Sequence, residues 1–299
     1  MRQNLLSSLI PGLVSGVLLA GCVVNVHQQA FYVSPLNGNA EDYHPMPLQR
    51  DSAHTALYAR IGYFSGDAND RSTDKTKGGT LSFYAAHHFG MVQCFFGPDF
   101  SLGTYNLGTF QNGARFGLVQ LTQLLTPLQS DQLQAYTGSK SFGSIGFSGG
   151  INLVTPLGAR GEWRFLGVET SLQREFGDYL STRRELPDSL ATLIIRNRFF
   201  GTAGITSEII GGTRRGEFGF RFAGGWVLGS AYHSLNIYDS LSNGPLTYYY
   251  FDASFHYTFD RYTAYYQVDG GKKATTIRFG FIYRFGRPRL TPRYIPVRP

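Results

Sequence analysis

Cysteine is nearly absent: Cys22 and Cys94 are the two in 299 residues. That is too few for a disulfide scaffold, and no cysteine-based metal site can be assembled from them. Charge is scarce too, at 16% of residues against the roughly 25% usual in soluble domains. Lysine is the scarcest charged type, so the net charge of +7 is carried by arginines spread along the chain. There is no basic helix and no aromatic platform interleaved with basic residues, which removes nucleic acid as a partner. No apolar run is long enough for a membrane-spanning helix, which needs about 20 residues. The longest, residues 5–20, is broken by Pro11-Gly12. What is abundant is aromatic and small: 24 Phe, 19 Tyr and 37 Gly. Glycine is costly in helices and aromatics suit strands, so the composition favours β-structure.

The first residues read as a targeting segment. Arg2 gives a positive start, the apolar residues 5–20 follow, and Leu19-Ala20-Gly21-Cys22 closes it. This ending resembles the lipobox of bacterial lipoproteins. The resemblance implies a signal peptide over 1–21 and a lipid, palmitate among its acyl chains, on Cys22. The alternative is an ordinary signal peptide with a chance cysteine. Val23 stands where inner-membrane lipoproteins of enteric bacteria carry Asp, which favours the outer membrane. With Cys22 acylated, Cys94 has no disulfide partner. Residues 22–52 read as a tether, with Tyr32, Tyr43 and Pro45 placed to dock on the fold.

From residue 55 the sequence alternates with period two, the signature of a half-buried strand. Ile277, Phe279, Phe281, Tyr283 and Phe285 share one face; Thr276, Arg278, Gly280 and Arg284 share the other, with Ile282 as an exception. Phe251 to Phe259 and Phe218 to Leu228 repeat the pattern. Weaker versions run through Leu57/Ala59/Ile61/Tyr63, Leu81/Phe83/Ala85, Ile145/Phe147/Ile151/Leu153, Leu166/Val168/Leu172 and Ala203/Ile205/Ile209. Residues 91–105 and 262–269 bring the strand candidates to ten. Long connections are expected at 66–79, 106–141, 177–199, 229–246 and, long only relative to the turns, 270–274, and short turns near Gly90, Pro156-Leu157-Gly158, Gly212-Thr213-Arg214 and Asp260-Arg261. The expected fold is therefore all-β: an antiparallel up-and-down transmembrane barrel over 53–286, with long outer loops and short periplasmic turns. Two loops carry helical spacing. Leu118, Leu121, Leu124, Leu125 and Leu128 fit a surface helix or a plug, and Pro187-Asp188-Ser189 fits the start of a helix over 190–195. Irregular loop or extended strand fits both equally well.

The polar face decides which side meets lipid. A solvent face should be rich in Lys and Glu, whereas this one holds Gly, Ser, Thr and Ala with scattered charges of both signs. Small residues fit a crowded lumen. Arg60, Arg221, Arg278 and Arg284 are expected there, able to pair with Glu169, Glu208, Glu217 and Asp252. Trp226, Tyr249, Tyr262 and Tyr283 near strand ends resemble the aromatic girdles of membrane barrels. Taken together the chain resembles small outer-membrane β-barrels of eight to ten strands and, in its lipobox, lipoproteins of Bacteroidetes-like bacteria. Phe279 to Phe285 resembles the terminal strand that the barrel-assembly machinery recognises, though here 287–299 follow as an Arg/Pro-rich tail. Such a tail is extended, either solvated or bound to an acidic periplasmic partner or lipid headgroups.

No catalytic constellation stands out. His233-Ser234 with Asp239, in one long loop, is the best local candidate for a hydrolase or acyltransferase, and nothing in the spacing fixes its geometry. Asp67, Asp70 and Asp74 lack the glycine and closing glutamate of a calcium loop. No metal site, cofactor or catalysis is expected. The reading is a structural or accessory barrel lipoprotein contacting outer-membrane lipid. The alternatives are a small channel, an outer-membrane hydrolase or acyltransferase, and a soluble lipid-anchored barrel with an apolar ligand inside.

Overall fold

Period-two alternation becomes ten long antiparallel strands. The computed structural model describes residues 31–32, 34–35, 42–48, 55–68, 71–108, 114–116, 119–121, 134–158, 160–187, 193–213, 215–228, 249–271 and 274–286. Its elements are β1 (Phe31–Tyr32), β2 (Thr55–Ala68), β3 (Arg71–Phe89), β4 (Val92–Leu107), β5 (Ala114–Phe116), β6 (Val119–Leu121), β7 (Gly138–Pro156), β8 (Gly161–Phe176), α1 (Asp178–Glu185), β9 (Leu193–Ile194), β10 (Phe199–Gly212), β11 (Glu217–Leu228), β12 (Tyr249–Phe259), β13 (Tyr262–Gly271) and β14 (Ala274–Phe285). The chain divides into two units. The first comprises Met1–Gln29 and Gln111–Leu124; its described part is the β5–β6 hairpin, in which Arg115 pairs with Gln120.

The second unit is a closed barrel in the order β2-β3-β4-β7-β8-β10-β11-β12-β13-β14. Each strand pairs antiparallel with its neighbour in that order, and β14 returns to β2, with Phe279 opposite Tyr63 and Phe285 opposite Leu57. Closure removes the edges a sheet would otherwise leave unpaired, which a membrane demands. At one end the links are short: Gly90-Met91, residues 157–160, residues 213–216 and Asp260-Arg261. Asp260 takes a positive φ of 55°, the left-handed geometry that a two-residue hairpin needs and Asp tolerates.

The other end differs from expectation. Three of its links are long, at 108–137, 177–198 and 229–248, but β2 and β3 are separated by two residues, as are β13 and β14. In the polar stretch 66–79, residues 66–68 and 71–79 are strand, with Lys75 opposite Asp67 and Asn106. Its Lys, Thr and Gly content reflects a strand end standing clear of the apolar band, not a loop. Of the helix expected over 190–195, Leu193–Ile194 is extended and residues 190–192 lie outside the described residues, while a helix not foreseen, α1, precedes Pro187. Within the leucine-rich stretch, Val119–Leu121 is strand; Leu118 and residues 122–133 lie outside the described residues.

The barrel is polar inside and apolar outside. Phe147 is 65% exposed and Phe222 is 66%, while Arg60 and His256 are fully buried. In water such a surface would be untenable; in hydrocarbon it is the surface required. The soluble barrel with an apolar interior is thereby set aside. Ile282, the apolar residue on the polar face, is buried in the lumen beside Tyr265 and Tyr58. Gly280 sits below them, where a Cβ would run into the Ile61 carbonyl and the Tyr265 ring.

Candidate functional site

The lumen is the site. Strand parity puts the even-numbered residues of β2, β3, β12 and β14 inside, and so places Arg60, Asp252, Arg278 and Arg284 there. Odd parity does the same for Glu169 and Arg221. Glu208 is buried as well, and Glu217 lies half-buried at the turn end of β11. Arg221 bridges two of these carboxylates, with Nη2 2.6 Å from Glu169 Oε2 and Nη1 2.7 Å from Asp252 Oδ1. The other arginines find partners that sequence reasoning missed. Arg278 Nε lies 2.5 Å from Asp269 Oδ2, and Arg60 Nη2 lies 3.7 Å from Asp99 Oδ1. Glu208 pairs with Arg164, whose Nε also lies 2.8 Å from Glu162 Oε1.

A second set of residues fills the space between these walls. Residues 42–48, read as part of a tether with Tyr43 and Pro45 docking on the fold, run through the lumen, and all seven are buried. Asp42 stands between two wall arginines: Arg60 Nη2 is 2.6 Å from Oδ2, and Arg278 binds Oδ1. The Tyr43 backbone N–H donates to Gln267 Oε1 at 3.1 Å, and its carbonyl accepts from Arg60 Nη1 at 2.9 Å. The Tyr43 hydroxyl donates to Glu208 and lies 2.5 Å from His256 Nδ1. His44 Nε2 is 3.0 Å from Asp99 Oδ1, and its ring stacks on Phe95 at 5.1 Å. Tyr84 donates to the Pro45 carbonyl at 2.6 Å, Arg164 donates to the Met46 carbonyl, and the Leu48 N–H donates to Glu217 Oε2 at 3.0 Å. Strand walls thus supply the hydrogen bonds that an extended segment cannot make for itself.

Ser148, His44 and Asp99 form a serine–histidine–aspartate cluster, but not a catalytic relay. Ser148 Oγ is 3.2 Å from His44 Nε2, the same nitrogen that meets Asp99, and Ser148 itself donates to Asp99. A relay needs the carboxylate on one ring nitrogen and the hydroxyl on the other. The cluster anchors His44 to the β4 and β7 walls.

At the loop end α1 covers the interior. Tyr179 stacks on Tyr105 at 4.1 Å, and Phe64, Phe142, Leu186 and Phe200 pack around the pair. Burial holds the Tyr179 hydroxyl well above the ordinary phenol range, so it stays protonated. Arg183 Nη2 meets Glu175 Oε2 at 2.5 Å, both side chains fully buried. Asp74, read as a loop carboxylate, is buried here, accepting from the Tyr105 hydroxyl at 2.9 Å and the Gly108 N–H at 3.0 Å.

Arg164 escaped the sequence reading for a physical reason. The register of β8 slips against both neighbours, between Leu153 and Val154 on one side and between Thr206 and Glu208 on the other. A β-bulge places Phe165 and Leu166 both outward and inverts parity below them. Counting back from Leu166 therefore points Arg164 the wrong way. Cys22, the tail 287–299 and His233, Ser234 and Asp239 lie outside the described residues.

No protein-family model matches the sequence, and no curated protein does. Among solved structures, the translocator domain of the autotransporter NalP from Neisseria meningitidis is 12% identical, covering 80% of this chain and 91% of its own, with a TM-score of 0.38. The beta domain of the Bordetella autotransporter BrkA is 11% identical over 78% of this chain and all of its own, with a TM-score of 0.34. The Ralstonia pickettii toluene transporter TbuX is 9% identical over 86% and 94%, with a TM-score of 0.30. These are weak likenesses of barrel to barrel.

Proposed function

We propose that the protein is a closed, non-catalytic barrel lipoprotein of the bacterial outer membrane, exported by residues 1–21 and acylated on Cys22. One observation carries the closed state: residues 42–48 occupy the lumen and are hydrogen-bonded to its walls from Arg60 to Glu217. A ten-stranded barrel has an interior only slightly wider than its own side chains can fill, so one threaded segment leaves no aqueous path. The protein then acts by what it presents. Its exterior meets lipid, its long loops and the arginine-rich tail meet partners, and the barrel-assembly machinery receives its last strand during biogenesis.

Planar-bilayer recording of the purified full-length protein tests this. A silent membrane, together with a heat-dependent shift in gel mobility that reports a folded barrel, is the expected result. A stable unitary current from protein that shows the shift would replace the closed barrel with a channel.

A further inference from the structure

The path of the N-terminal segment through the barrel has a direction. At the loop end, β1 pairs in parallel with β9, which lies in the long link between β8 and β10. Ser34 is buried and hydrogen-bonds Glu175, the penultimate residue of β8 at the same end. Asp42 meets Arg60 and Arg278 well inside the strands. The Met46 carbonyl meets Arg164, three residues into β8 from its turn end, and Leu48 meets Glu217, the first residue of β11 after a short turn. β2 then begins at Thr55, also at the turn end, opposite His87. The chain therefore enters at the loop end, descends the lumen, leaves at the turn end, and only then builds the wall around itself.

In membrane barrels the long loops face the outside and the short turns the periplasm. We infer that the N-terminal end of the mature chain emerges on the cell surface and that its lipid is held in the outer leaflet, so that the protein is clipped to the membrane from outside. The acyl part of this rests on the proposed lipidation of Cys22; the direction of threading does not. Phe31 follows Cys22 by nine positions, a reach of about 30 Å if fully extended. To place the lipid in the inner leaflet, those residues would have to recross the apolar band, about 25 Å tall. The lumen is taken by residues 42–48. The route through lipid would leave a run of backbone groups unpaired in hydrocarbon, at several kcal/mol each. The outer leaflet needs no crossing.

Surface labelling of the full-length protein in intact cells tests the inference. A short epitope is inserted after Val26, after Tyr238 in a long loop, or after Asp260 in a short turn, one per strain, and each strain is fed labelled palmitate. The epitopes at Val26 and Tyr238 should bind antibody on intact cells, with little gain on permeabilisation; the one at Asp260 should bind only after it. Detection at Val26 only after permeabilisation, with Tyr238 already accessible, would overturn the inference. So would the reverse pattern at Tyr238 and Asp260, since the barrel would then sit the other way up. If the Val26 epitope is accessible but no palmitate is incorporated, surface emergence stands and the acyl anchor falls. Because an insertion can prevent folding, untagged protein on intact cells is also digested with proteinase K. Released peptides upstream of Phe31 are the expected product, and their absence, with peptides from residues 229–248 released, counts against surface emergence.

Discussion

Replacing Asp42 with alanine should be among the most damaging single changes to this barrel, although it lies outside every strand. The carboxylate is nearly enclosed, with a side-chain exposure of 5%, between Arg60 at 0% and Arg278 at 3%. Without it, Arg60 keeps Ser82 Oγ, the Tyr43 carbonyl and Asp99 at 3.7 Å, and Arg278 keeps Asp269 at 2.5 Å. Removing one partner of a buried ion pair generally costs about 3–5 kcal/mol. The retained carboxylates place Asp42→Ala near the lower end, about 3 kcal/mol, a shift of roughly a hundredfold in the folding equilibrium. Urea unfolding in detergent micelles, followed by fluorescence of Trp163 and Trp226, measures it, with an unchanged m-value required for the comparison. The surface pair of Asp67 with Lys75, each more than half exposed, is the control, and Asp67→Ala should cost at most about 1 kcal/mol. Equal, small losses for both variants would mean that Asp42 is not enclosed between the arginines, and the threaded lumen would go with it.

Three further outcomes follow from the same geometry. Phe279→Arg, at the middle of β14 on the lipid face, should destabilise by about 2–4 kcal/mol and Phe285→Arg, at its end, by about 1 or less, measured by the same unfolding assay; equal costs would contradict the placement of the membrane. Glu175→Gln should loosen α1 from the loop end by breaking its buried pair with Arg183, seen as faster limited proteolysis within residues 177–198 while the heat shift of the barrel is retained. Gly280→Val should force Tyr265 and the β2 backbone apart, costing about 1–3 kcal/mol, whereas Gly90→Ala, with nothing near its Cβ but a φ of 59°, should cost only about 1 kcal/mol.

The strands and their facing were legible because a sheet with one face in lipid and one in a polar lumen writes period two into the sequence with little else to obscure it. Ile282 broke the pattern and is indeed inside, filling space beside tyrosines rather than meeting lipid. The loops were less legible. Where β2 and β3 continue beyond the apolar band, both faces are wet or crowded by other strands, and residues 66–79 carry no alternation to read. Arg164 was hidden by a bulge, which changes parity without changing composition. Residues 42–48 were hidden more deeply: a segment that neither helix nor sheet organises has no period, and its burial depends on partners at positions 60, 164, 208, 217, 267 and 278.

Because residues 42–48 precede β2, and the ring that surrounds them is sealed only when β14 meets β2, the order of assembly is constrained by topology. An N-terminal end acylated as proposed could not be drawn through a finished, filled ring. The wall must be wrapped around the leader, strand by strand, and the β14–β2 seam is the clasp that locks it in. Extraction in one piece then requires the clasp to open, so the protein behaves as a bead that was cast on its string.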